Sequence, residues 1–201
     1  MNVLGWTGDT NVPPGAQPFR RGRWTALLAS SDSTKTPHAR LAIQVSWFDT
    51  GFDFIPVAPA QQLTRADVTG AACLGNLETI WKNIEGRGQF WLAVRPRDEH
   101  RSMPCQGRAW LQTRKARQDQ ERHHKTLLDK IVKELNLPVN ACQQGAQRAS
   151  SAILVPRHAA QKTRLAIAQI AQKHETSADV TLAVSGLWPP LAFTQKGLGT
   201  A

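Results

Sequence analysis

The sequence predicts an α+β protein with two domains, a small α+β unit over residues 1–88 and a ferredoxin-like βαββαβ unit with one long helix over residues 89–201. Three observations carry this prediction. In the second half, segments of strand-like and helix-like period alternate: strand 90–94, helix 106–136, strands 141–147 and 150–155, helix 158–174, strand 180–184. The turn Glu85-Gly-Arg-Gly-Gln89 sets that series apart from the first half. Charge divides in the same way: residues 1–100 hold 10 Lys/Arg against 9 Asp/Glu, and residues 101–201 hold 15 against 6.

In the first half, Asn2-Val-Leu-Gly-Trp6 reads as a short strand, followed by a loop rich in Gly, Pro and Asn through Pro18. Trp24 to Ala29 is a second strand, closed by the turn-forming cluster Ser30-Ser-Asp-Ser33. Pro37 opens a helix through Phe48, with Leu41, Val45 and Phe48 at helical spacing as its apolar face. Asp49-Thr-Gly51 breaks it. Phe52 to Val57 reads as a strand, and Pro56, which cannot donate to a ladder, places it at an edge. Thr64-Arg-Ala-Asp67 has the capping pattern of a helix start. Val68, Leu77, Ile80, Trp81 and Ile84 fall on one face of that helix, and Gly86 stands where a left-handed terminator belongs.

In the second half, Phe90 to Val94 is a mostly apolar strand, and Arg95 to Pro104 is a charged loop. The long helix over 106–136 has two characters. Its C-terminal part carries the stripe Leu127, Leu128, Ile131, Val132 and Leu135, whereas Gln112 to Thr126 is polar on every side except at Ala116. A helix that is polar all round is solvated or spans between packed units. Ala141 to Gln147 and Ser150 to Val155 form a strand pair, and the following helix is expected to bury Leu165, Ile167, Ala168, Ile170 and Ala171. Val180, Leu182 and Val184 share one face of the last strand, which runs into Gly186, Trp188, Pro189 and Pro190. That exit can serve as a latch, with Trp188 and Phe193 covering a core edge, or as a docking surface.

With 41% hydrophobic and 20% charged residues, the chain has an ordinary globular composition. Met1 to Trp6 lacks the pattern of a signal peptide, and no run reaches the ~18 apolar residues of a membrane span. Cys73, Cys105 and Cys142 are too few and too widely spaced for a disulfide framework or a zinc site. A cytoplasmic protein is the expectation.

No catalytic, cofactor or metal motif is present: the sequence has no Gly-x-Ser-x-Gly elbow, phosphate-binding glycine loop or His-Glu-x-x-His. His123 and His124 point about 100° apart on a helix, do not chelate as a pair, and are expected to be solvated. Cys105, in a basic loop, is expected to be an unreactive thiol. Glu78 and Glu85, near Lys82, read as salt-bridge decoration. The expectation is therefore not an enzyme. The basic second half calls for an acidic partner. Single-strand RNA modules with this strand order stack bases on sheet aromatics, and Ser150 to Val155 and Val180 to Val184 have none, so nucleic acid is not the expected partner.

Three stretches carry a family resemblance. Glu85-Gly-Arg-Gly-Gln-Phe-Trp-Leu-Ala-Val94 resembles the Gly-Arg-x-Glu-Trp-x-x-x-Val strand of the gas vesicle protein F/L family. Gly107-Arg-Ala-Trp-Leu111 is similar to that family's Gly-x-x-Tyr-Leu helix start, and Ser185-Gly-Leu-Trp-Pro-Pro-Leu-Ala-Phe193 is similar to its Thr/Ser-Gly-Pro-Trp-Pro-Pro-Tyr-Ser-Phe signature. Gln89, Trp110, Leu187 and Leu191-Ala192 depart from the pattern, and Pro56-Val-Ala-Pro-Ala60 lacks the arginine and glycine of the family's Pro-x-Arg-Phe-Gly strand.

The resemblance implies an α+β N-terminal domain and a ferredoxin-like C-terminal domain. It also implies a non-enzymatic accessory role in gas vesicle assembly, with the small apolar shell protein and other accessory proteins as partners, and a place in the cytoplasm or on the vesicle. It needs no cofactor or membrane. Trp188, Pro189, Pro190, Phe193, Trp110 and Arg108 are the partner-binding candidates under this reading, and Trp91 is a further possible anchor. The alternative is a basic interaction module that binds nucleic acid or an acidic protein.

Overall fold

The computed structural model describes residues 3–8, 12–13, 16–29, 36–57, 71–97, 107–138, 142–144, 149–175 and 180–194. The chain forms two compact units, Met1–Gly88 together with Trp188–Ala201, and Gln89–Leu187. The sequence places residues 188–201 at the end of the second domain, whereas the structure groups them with the first. The physical reason is local. Phe193 packs against the first unit's core, and the buried Thr194 donates from Oγ1 to the carbonyl of Pro56 at 2.9 Å.

The first unit holds β1 (Val3–Thr7), β2 (Gln17–Arg21), β3 (Trp24–Leu28), α1 (Thr36–Asp49), β4 (Ile55–Pro56) and α2 (Ala71–Ile84). Its four strands are antiparallel neighbours in the order β2-β3-β1-β4, with Trp6 opposite Ala26 on one side and Ile55 on the other. β1 and β3 are buried throughout, so both faces of the sheet are covered. Val3, Trp6, Trp24, Ala26, Leu28 and Ile55 form a core with Leu77, Ile80, Trp81 and Ile84 of α2. The helix face predicted from the latter four is thus the packed one. Trp24 and Trp81 meet edge to face, their centroids 5.5 Å apart.

β4 is an edge strand, as Pro56 requires, and it is shorter than the predicted 52–57. Gly86 has φ +65°, and its amide donates to Asp53 Oδ2 at 2.8 Å, which ends the turn after α2. β2 begins inside the loop expected through Pro18 and runs past it to Arg21. Gln17-Pro-Phe-Arg-Arg21 carries no run of β-formers, and only pairing with β3 along the sheet edge holds it extended. The helix start predicted at Thr64 to Val68 lies outside the described residues, as does Cys105.

The second unit is built on β5 (Arg87–Pro96), α3 (Gly107–Glu134), β6 (Cys142–Gln144), β7 (Ser150–Pro156), α4 (Ala160–Glu175) and β8 (Val180–Trp188), entering at Gln89 of β5 and leaving at Leu187 of β8, with a short 3₁₀ turn, Arg157–Ala159, before α4. The sheet order β6-β7-β5-β8 is that of the ferredoxin-like fold, so the predicted βαββαβ series is correct in order and type. Phe90, Leu92 and Val94 alternate along β5 toward a core completed by Leu127, Leu128 and Ile131 of α3, Ile167 and Ala171 of α4, and Ile153, Val155, Val180 and Leu182.

Two predicted faces need correction. Leu165 and Ala168 are exposed, because the packed side of α4 is the one through Ile167 and Ala171. His124 is buried rather than solvated. It precedes Leu127 and Leu128 by three and four residues and so shares their face. His123 is exposed, as predicted.

Candidate partner-binding surface

Helix α1 is apolar on two sides. Ala39, Ile43 and Trp47, spaced by four, are buried. Leu41, Val45 and Phe48, spaced by four and three, lie along another side and are 59%, 46% and 51% exposed. The sequence reading singles out the second set by its helical spacing, and the structure turns it to water. One helix can bury only one such stripe, and the stripe ending in the larger Trp47 is the one buried.

The helix is pinned in that rotation. Arg40 donates from Nη1 to the carbonyl of Val57 at 3.0 Å, and its partial burial lowers the guanidinium's pKa. Phe48 stands edge-on to Trp47, with centroids 4.9 Å apart.

Trp188 completes the stripe. Its ring meets Phe48 at 6.3 Å with an interplanar angle of 74°, and it is 42% exposed. Leu41, Val45, Phe48 and Trp188 therefore form a continuous apolar surface on the first unit. Together they leave on the order of 400 Å² in water, judged from the ~150–250 Å² that one aromatic side chain can bury. Patches of ~300–600 Å² on monomers are often functional.

The residues after Trp188 have the opposite character. Pro189 and Pro190 are buried, Leu191–Phe193 forms a 3₁₀ turn, and the Thr194 amide donates to the Leu191 carbonyl at 3.3 Å. Of the latch pair expected from the sequence, Phe193 packs against the first unit's core, whereas Trp188 is 42% exposed.

Just before it, Gly186 has φ +133°, and a Cβ there would stand 2.7 Å from the Gln89 carbonyl oxygen and 3.1 Å from Phe90 Cα. Only glycine fits where β8 presses against β5.

The remaining candidates lie in the second unit. Arg108 is exposed and Trp110 half-buried in the first turn of α3, with the Arg114 guanidinium over the Trp110 ring at 5.2 Å. Trp91 is half-buried and Gln89 buried on β5, on the side opposite Phe90 and Leu92 by strand alternation. The surface that the sequence reading missed is α1's Leu41, Val45 and Phe48. The signal that finds it is the presence of two apolar stripes on one short helix.

Among the described residues no group of three His, Cys, Asp or Glu side chains is placed to hold a metal. A shallow cleft of about 350 Å³ is lined by Gln118, Glu121, Arg122, Lys125 and Ala149, which is too polar and open for an apolar small-molecule site. No helix among the described residues is long and apolar enough to cross a membrane.

No protein-family model matches the sequence, and no curated protein sequence matches it. Solved structures do match the fold. The crystal structure of the gas vesicle protein GvpF from Anabaena sp. PCC7120 superposes with a TM-score of 0.67 at 10% sequence identity, covering 96% of this chain and 95% of that one. GvpF from Microcystis aeruginosa superposes with a TM-score of 0.62 at 12% identity, covering 96% of this chain and 98% of that one. This chain carries the fold of these GvpF structures across nearly its whole length.

Proposed function

We propose that this chain, which has the GvpF fold, is a gas-vesicle accessory protein that binds the small apolar shell protein without catalysing a reaction. The carrying observation is the apolar surface formed by Leu41, Val45, Phe48 and Trp188. A shell subunit must stay soluble until it polymerises, and it needs an apolar face to cover its own. The α1 stripe offers one on a helix whose rotation is already fixed, so little side-chain order remains to be gained on binding. Arg108 and Trp110 in the second unit are left for other accessory proteins, in the cytoplasm or on the vesicle.

The test is co-purification with the shell protein from co-expressing cells. Wild type is expected to retain the shell protein. Phe48→Ser and Leu41→Ser are expected to lose about tenfold or more in retention, which is ~1.4 kcal/mol. Equal retention by wild type and both variants, or no association at all, sinks the reading.

A further inference from the structure

Helix α3 is 28 residues long, about 42 Å at 1.5 Å per residue. Its buried residues begin only at His124. Residues 107–122 are exposed except for Trp110, Thr113 and Glu121, which are half-buried. This half holds its helix because the packed half has already nucleated it, and because Arg117–Glu121 at 3.4 Å and Arg122–Asp119 at 3.6 Å add short-range pairs.

It is strongly basic: Arg108, Arg114, Lys115, Arg117 and Arg122 stand against Asp119 and Glu121. Arg108, Leu111, Lys115 and Arg122 follow one another at spacings of three, four and seven, so they share one face, on which Asp119 also stands, paired with Arg122. Leu111 in that row is 59% exposed. Among the described residues, no acidic side chain is placed against Arg108 or Lys115.

We propose that this face of α3 docks an acidic amphipathic helix of a partner protein. The partner's carboxylates meet Arg108 and Lys115, and one of its apolar side chains covers Leu111. Charge sets the sign of the partner, and Leu111 sets its class. A phosphate backbone offers nothing to cover an exposed leucine. An acidic helix with apolar residues at heptad-like spacing satisfies both the cations and the leucine. The inference is independent of the shell-protein reading, because its residues belong to the other unit.

Fluorescence anisotropy on the full chain tests it with three probes. One is a labelled peptide of about 15 residues, matching the length of the free half, with glutamates flanking a leucine stripe. The second has the same composition, scrambled so that its leucines share no face. The third is a single-stranded oligodeoxynucleotide of similar length.

The patterned peptide is expected to bind best and to weaken as salt rises from about 50 to about 200 mM. Arg108→Glu combined with Lys115→Glu is expected to weaken it at least tenfold, and Leu111→Ser roughly fivefold. The melting temperature should stay unchanged, because these side chains are solvated. Should the charge-reversed pair lose its fold, Arg108→Gln with Lys115→Gln carries the same expectation at smaller size. Retention of shell protein should be unaffected by any of these variants. The proposal is overturned if the patterned peptide fails to bind, if the scrambled peptide binds equally well, if the variants bind as wild type, or if the oligonucleotide binds more tightly than the peptide.

Discussion

Gly186 shows how a single position can be decided by backbone alone. Its φ of +133° is strained for any L side chain, and the nearest obstacle to a Cβ is the Gln89 carbonyl oxygen, which cannot swing away. Gly186→Ala is expected to cost about 2–4 kcal/mol, read as a lower midpoint in urea unfolding with an unchanged slope. His124 is a residue-scale switch of the opposite kind. Burial holds its pKa below the ordinary 6.5, the charge of His123 adds to the shift and Glu121 opposes it. A histidine whose folded pKa is lowered takes up its proton more readily when unfolded. Its stabilising share is full above about pH 6.5 and is lost as pH falls from there through the folded value. Unfolding curves between about pH 7 and pH 5 should therefore be flatter for His124→Gln than for wild type. Equal slopes would place the acid sensitivity elsewhere.

At the scale of elements, α1 and α3 teach complementary lessons. Both are helices that expose what pattern rules treat as packing or decoration. In α1 the buried stripe is Ala39, Ile43 and Trp47, and the exposed stripe ends in Phe48, which touches both Trp47 and Trp188. Leu41→Ser and Val45→Ser are thus expected to change stability by no more than about 0.5 kcal/mol while raising solubility, which thermal melts and concentration limits would show. A large loss of stability would mean the stripe is packed in solution. In α3 the C-terminal end is tied to α4: Glu134 accepts from Lys173 Nζ at 3.1 Å and lies 3.0 Å from His174 Nε2. These two hydrogen bonds, more than charge alone, lower the Glu134 pKa. The stability they add is present above the ordinary carboxylate range and is lost as pH falls through the lowered value, so Glu134→Gln should show a weaker acid transition below about pH 4.5.

At the scale of the whole molecule, the first unit is completed by the last part of the chain. Thr194 binds Pro56 across 138 positions of sequence, and Phe193 lies on the core of β1, β3 and α2. Phe193→Ala is expected to lower hydrogen-exchange protection in β1, β3 and β4 and to leave β7 and α4 unchanged. Uniform loss in both units would show that the segment serves the whole chain rather than the first unit. Cys142 fits the same picture of local environments. Burial pushes its thiol pKa up, so alkylation should be slow until the second unit unfolds.

The sequence alone determined the second unit. Its strands and helices follow periods of two and 3.6 that are local properties of the chain, and their order admits few right-handed arrangements. It also determined α2's packed face and the edge position of Pro56. Tertiary contacts settle which of α1's two apolar stripes faces water, that a strand runs from Gln17 to Arg21, that His124 is buried, and that Pro189 to Thr194 belong to the first unit. The physical reason is common to all four. Each depends on a neighbour distant in sequence, a sheet edge to pair with, a core with room for one stripe, or a carbonyl such as that of Pro56. Local propensity carries no information about those partners. The Trp188 surface is the clearest case: its residues are all visible in the sequence, and only folding brings Phe48 beside the ring.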